Sequence, residues 1–327
     1  MASNLSVGIR KRNMTIGRDL REANTRKDIW KRICRYKWLY LFLLPLVVHQ
    51  IVFKYSCMYG VLLAFKDFKY NAGIWGSPWV GLQYFKQFVT QYNFWQLIGN
   101  TLRMTLSSLV FGFPAPIILA LLINEVQMKR TKKLIQTFTY LPHFVSWVVV
   151  ISIFSNLLSP NGGLINEMLN KLFGMEPRYF MGEKKYFLVM YLLLGMWKEA
   201  GWGSILFLAA ITGIDPELYE AARLDGAGRM RQIISITIPC ILPTIVIKLL
   251  LNMGGLMGVG FDQVYLMQTP TNLDVSEAIN TYVVKEGIRQ GHYSFATAVG
   301  LFQSVIGMLL MFISNKISKT LTETSLW

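Results

Sequence analysis

Side chains able to do chemistry are few and scattered in this 327-residue chain. His49, His143 and His292 stand far apart, and Cys34, Cys57 and Cys240 form neither a CxxC pair nor an even disulfide set, so no metal site is expected. There is no GxxxxGK[ST] phosphate loop and no GxSxG nucleophile elbow. The chain is therefore not expected to be an enzyme or to carry a cofactor. What stands out is charge in apolar surroundings: Lys198 and Glu199 between Trp197 and Trp202, and Lys248 farther along. Ionisable groups at membrane depth need a partner or water. Neighbouring helix residues diverge by about 100°, so Lys198 and Glu199 are not expected to pair, and Glu199 is expected to meet Lys248 across a helix interface. Aromatic faces beside hydrogen-bonding groups suit sugars. These five residues mark a candidate solute path, the alternative being an interhelical polar clamp with packed tryptophans.

A second constellation is Asp215-Pro216-Glu217-Leu218-Tyr219-Glu220-Ala221-Ala222-Arg223-Leu224-Asp225-Gly226-Ala227-Gly228-Arg229. Asp215 suits an N-cap and Pro216 the first helical position, where a missing N–H costs nothing. Gly226 supplies the stop. A short helix of about ten residues is expected. Ala221 and Ala222 form a small-residue face, while Glu220 and Asp225 offer carboxylates to a cationic partner. Taken by itself, an amphipathic connector resting on lipid headgroups fits as well.

The elements that position these residues follow from composition. With 53% hydrophobic and only 16% charged residues, the chain is too apolar for an ordinary soluble domain. Its net charge of +15 does not indicate a nucleic-acid binder, because the basic residues sit mainly between long apolar runs. Six runs reach the roughly 20 residues that a membrane crossing needs: 39–63, 101–123, 134–158, 186–214, 233–259 and 294–313. The first is too long for a signal-peptide core and is read as a span. Prolines 114, 116, 142, 239 and 243 and glycines 254, 255, 258 and 260 fall in or beside these runs, where kinks and weak helix ends are expected. The expected fold class is an all-α membrane protein of about six transmembrane helices.

Orientation follows from Lys and Arg, which favour the cytoplasmic flanks. Segments 1–38, 124–133, 215–232 and 314–327 carry 11, 4, 3 and 2 of them, against 3, 4 and 2 in the opposite loops 64–100, 159–185 and 260–293. Both termini are therefore expected in the cytoplasm. Residues 1–38 read as a basic segment lying on anionic headgroups, 39–313 as the transmembrane domain with the loop 215–239, and 314–327 as a cytoplasmic tail.

Glu220-Ala221-Ala222, Gly226 after three residues, and Ile236-Thr237-Ile238-Pro239 after nine more resemble the EAA loop of binding-protein-dependent permeases of ATP-binding cassette importers. The one departure is Ile238, where that pattern prefers leucine. Collinear shorter matches, including Trp79-Val80-Gly81-Leu82, Tyr140-Leu141-Pro142-His143-Phe144 and Ala298-Val299-Gly300-Leu301, resemble the maltose-type sugar permeases, and most of all their complex-oligosaccharide branch.

That resemblance implies a type I importer permease fold. It also implies an ATPase-coupling role for Glu220, Ala221, Ala222, Asp225, Gly226 and Ala227, with Ile236 and Pro239 completing the motif. The implied partners are a second, non-identical permease subunit, two cytosolic ATPase subunits that use ATP and Mg, an extracytoplasmic solute-binding protein and a carbohydrate substrate. The rival reading is an ion-coupled secondary transporter or channel for a small polar solute. Glu199 alone, as an acidic residue well within a span, is thin machinery for ion coupling.

Overall fold

The computed structural model describes residues 35–255 and 257–322. Most of the basic N-terminal segment, and the last five residues of the tail, lie outside them. Apart from an isolated bridge between Lys66 and Trp79, the described residues form helices and connections. The chain divides into two compact units, residues 1–61 and 62–327.

The first unit holds α1 (Lys37–Phe65) as far as Val61. In the second, α2 (Gln83–Thr90) leads to α3 (Phe94–Glu125), α4 (Lys129–Phe144), α5 (Trp147–Leu157), α6 (Leu164–Phe173) and α7 (Lys184–Thr212). There follow α8 (Pro216–Leu224), α9 (Arg229–Met253), α10 (Phe261–Met267), α11 (Ile279–Val284) and α12 (Tyr293–Thr322).

Helices α1, α3, α9 and α12 are each long and apolar enough to cross a membrane, and α4 with α5 makes a fifth crossing if the bent pair is one span. At 29 residues, α7 is about 43 Å long. Its apolar run is interrupted by Lys198 and Glu199, and Lys198 is only 5% exposed. Lys198 thus belongs to the protein interior, while the Glu199 side chain is about half exposed.

Two expected spans change form. The run 134–158 is not one straight helix: α4 and α5 meet at 101°. Pro142 lacks the N–H that would continue the ladder, and Ser146 caps the next helix by accepting from the Val149 N–H at 3.4 Å. The run 233–259 ends as a helix near Met253, where glycines favour chain reversal, and residues 257–260 are not helical. That irregular backbone is satisfied from within the protein. The Asn280 side chain donates to the Val259 carbonyl and Gln303 to that of Met257, each at 2.5 Å. Non-helical backbone at membrane depth survives only where protein or a cavity serves it. At the other end, α12 continues as helix through much of the expected tail.

Prolines are accommodated by widened turns. A π turn at Ser108–Gly112 precedes Pro114, and another at Ile233–Thr237 precedes Pro239. The extra residue in each turn adjusts the register where proline cannot donate.

Helix α7 is the axis of the second unit, packing most extensively on the second half of α3 and also on α4. Glycines make this approach possible: a Cβ on Gly201 would lie 1.8 Å from the Thr139 carbonyl oxygen, and one on Gly203 3.0 Å from Pro116 Cβ. Phe207 and Ile211 of α7 pack with Ala120 and Ile123 of α3 and with Ile241 of α9. Phe88, Phe94, Leu97, Phe295 and Val299 form a second apolar cluster. Of the aromatic residues between α1 and the start of α3, Phe88 and Phe94 are therefore core, while Tyr70, Trp75 and Trp79 stay exposed.

Candidate functional site

The loop joining α7 to α9 forms the helix its caps predict. Asp215 Oδ1 accepts from the Glu217 N–H at 3.0 Å, Pro216 opens α8, and Glu217 lies in the first turn. At the other end Gly226 has φ +75°, a left-handed conformation open to glycine. The Gly226 N–H donates to the Arg223 carbonyl at 3.0 Å and the Ala227 N–H to the Ala222 carbonyl at 2.8 Å. This pair of bonds is a Schellman cap. The glycine of the motif thus terminates α8 and turns the chain toward α9.

Two bonds fasten the turn to the span. Gln232 Nε2 donates to the Ala227 carbonyl at 2.8 Å, and the Tyr219 hydroxyl meets Thr237 Oγ1 at 2.9 Å. Thr237 belongs to the π turn that also holds Ile236, and Pro239 follows in the first turn of the next helical segment. A cleft of about 480 Å³ opens between α8 and the start of α9, lined by Glu220, Arg223 and Arg229 and by Asn124 and Glu125 at the end of α3. Leu224 is 89% exposed, and Leu218, Glu220, Ala221 and Asp225 are exposed beside it, while Ala222 and Ala227 are half-buried.

The five pathway candidates separate. Glu199, Trp202 and Lys248 line one cavity of about 420 Å³, together with Tyr191, Asn252, Gln263 and the glycines between α9 and α10. Lys248 sits in the last two turns of α9, nearer its end than the sequence suggested. Lys198 is turned away. Its ammonium donates to the His143 carbonyl at 2.6 Å and lies 5.4 Å from the Trp147 ring centre. Trp197 packs edge-on against Phe154 and is not part of the cavity wall.

The expected pairing is corrected on both counts. Lys198 Nζ approaches Glu199 Oε1 to 3.6 Å, because a four-carbon stem reaches round the angle between neighbouring helical positions. Among the described residues Glu199 forms no ion pair with Lys248. It meets His143 Nδ1 at 2.9 Å instead. The His143 ring lies parallel to Trp202, centroids 4.7 Å apart. Sequence reading passed over His143, although a polar residue beside Pro142 within an apolar run was the available signal.

At the opposite end of the unit from α8, connections are knitted by polar side chains. Asn166 donates to the carbonyls of Leu158, Ser159 and Arg178, closing the end of α5. Lys184 pairs with Asp274 at 2.6 Å and holds that carboxyl below its usual range. Tyr84 donates to Asp67 at 2.8 Å, and burial together with that carboxylate pushes the phenol up to about 12.

The described residues are almost entirely helical, four helices are long and apolar enough to cross a membrane, and the capped α8 lies between α7 and α9. Residues 112–322 match the family described as binding-protein-dependent transport system inner membrane component, and the chain belongs to that family. It is thus a multi-pass inner-membrane protein and a transport permease. It is 47% identical over 293 residues to Protein LplB of Bacillus subtilis (strain 168), covering 90% of this chain and 92% of that one. It is 43% identical to the polygalacturonan/rhamnogalacturonan transport system permease protein YteP of the same organism, covering 92% and 94%. A chain in the crystal structure of a bacterial alginate ABC transporter, in complex with alginate pentasaccharide-bound periplasmic protein, superposes with a TM-score of 0.83 at 39% identity, covering 91% of this chain and 99% of that one.

Proposed function

We propose that this chain is one membrane half of an ATP-binding cassette importer for an oligosaccharide, and that α8 is its coupling helix. The observation that carries this reading is the geometry of α8. Capped at both ends and bonded to α9 through Gln232 and Tyr219, it presents the exposed Leu218 and Leu224 beside Glu220. Exposed large apolar side chains on a fixed element favour a protein partner. Glu220, Ala221, Ala222, Asp225, Gly226 and Ala227 form the seat for a cytosolic ATPase, and Ile236 and Pro239 carry its movement into the span.

The sugar passes along the cavity lined by Glu199, Trp202 and Lys248. One permease half does not enclose a route for a large polar solute, so a second, non-identical permease chain completes it. Two ATPase subunits use ATP and Mg, and an extracytoplasmic binding protein delivers the sugar. Nucleotide-driven closure of the ATPases moves the coupling helices and opens the path outward, and hydrolysis resets it. An oligosaccharide substrate is supported by the relatives, one named for polygalacturonan and rhamnogalacturonan and one solved with an alginate pentasaccharide.

Co-purification with the ATPase subunits tests the coupling role. Wild type retains them, and Glu220→Arg loses them while still inserting in the membrane. Equal retention by both contradicts the assignment of α8.

A further inference from the structure

The cavity holds two ionisable side chains of opposite sign whose charges are not equally answered. Glu199 is met by the Lys198 ammonium at 3.6 Å and by His143 at 2.9 Å. Lys198 is itself nearly buried, held on the His143 carbonyl and facing the Trp147 ring, so its charge stays with Glu199. Lys248 lines the same cavity and forms no ion pair among the described residues. The remaining polar walls are uncharged: Thr105, Ser108, Tyr191, Asn252, and Gln263, whose amide donates to the Tyr191 carbonyl at 2.7 Å. With the Lys198 and Glu199 charges cancelling, the cavity keeps the positive charge of Lys248.

A cation in a cavity bounded by membrane helices is poorly solvated and gains from a counter-charge. Within this chain no free carboxylate of the cavity wall answers it, and the occupant is a natural source of that anion. A volume of about 420 Å³ is within the range of small-molecule sites and suits a short sugar. The Trp202 ring, 46% exposed, adds an apolar face for a pyranose.

Resting on the importer reading above, we infer that Lys248 is a specificity residue that reads a carboxylate, so that the transported oligosaccharide is acidic, built from uronic acid units. The ammonium forms a charge-assisted hydrogen bond with the uronate as the sugar enters the cavity. Glu199, already compensated, binds hydroxyls and does not repel the anion.

The test is equilibrium binding of trigalacturonate and of its neutral methyl ester to the solubilised permease–ATPase complex without binding protein, followed by ATP-driven uptake in liposomes. Wild type is expected to bind the acid at least about tenfold tighter than the ester. Lys248→Gln removes that preference by weakening the acid alone, and Lys248→Arg keeps it. Absence of a preference in wild type, its survival in Lys248→Gln, or equal weakening of acid and ester overturns the inference. If sugar uptake nevertheless proceeds, the importer reading stands without it. Wild type that takes up neither sugar overturns both.

Discussion

The Lys198 ammonium, on α7, donates a 2.6 Å hydrogen bond to the His143 carbonyl at the end of α4. Helix ends leave carbonyls without intrahelical partners, and their dipoles favour a cation. At the 101° break between α4 and α5 no continuing turn serves that oxygen, so α7 supplies the donor. Lys198 therefore ties α7 to the bend between α4 and α5. Lys198→Met is expected to destabilise the purified protein by about 1–3 kcal/mol, read as a lower thermal midpoint in detergent. An unchanged midpoint counts against the cap.

The close passage of α7 over α4 depends on Gly201. A Cβ there would meet Thr139 backbone at 1.8 Å, a contact that no side-chain rotation relieves. Gly201→Ala is expected to cost about 1–3 kcal/mol or more through helix displacement, and to lower the yield of monodisperse protein. Gly228→Ala is the control, because nothing lies within 4 Å of its Cβ position and its φ is negative. Similar behaviour of the two variants contradicts the packing account.

Gly226 is different again, since its Cβ would meet nothing and only φ +75° opposes substitution. Gly226→Ala is expected to weaken the C-cap of α8 by roughly 1–2 kcal/mol. Hydrogen exchange of the α8 amides should speed up while that of α7 and α9 does not. Uniform exchange across all three helices argues against a local cap.

The Tyr84–Asp67 bond gives a pH dependence outside the membrane. The Tyr84 phenol is raised to about 12, so the folded state favours its neutral form. That contribution is fully present below the unfolded value near 10 and is lost as pH rises toward 12. The Asp67 carboxyl is lowered by its hydrogen bonds from Lys69 and Tyr84, so its contribution is present above the usual carboxylate range and is lost on acidification. Ultraviolet titration of wild type against Tyr84→Phe should show the missing phenol ionising near 12. A missing phenol that titrates near 10 would rule the bond out.

Local signals were legible in the sequence and contacts between distant residues were not. Helix α8 could be read because Asp215, Pro216 and Gly226 act on their own neighbours. Pro142 and the glycines after Met253 marked weak points, but the 101° angle and the irregular segment depend on what packs there. The partner of Glu199 was misread because 56 residues separate it from His143 in the chain. Helical direction alone also underestimated how far Lys198 reaches, and of the five candidates for a solute path only Glu199, Trp202 and Lys248 line the cavity, Lys198 and Trp197 facing other elements.

The proposed link from α8 to an ATPase is tested most directly by solute uptake with its energy source controlled. Liposomes carrying both permease chains and the ATPase subunits are supplied with oligosaccharide-loaded binding protein, with ATP alone or an ion gradient alone, and wild type is compared with Gly226→Trp. Uptake and stimulated hydrolysis are expected with ATP in wild type, and loss of both in Gly226→Trp with the complex still in the membrane. Uptake driven by the ion gradient without ATP, undiminished in Gly226→Trp, would contradict that link.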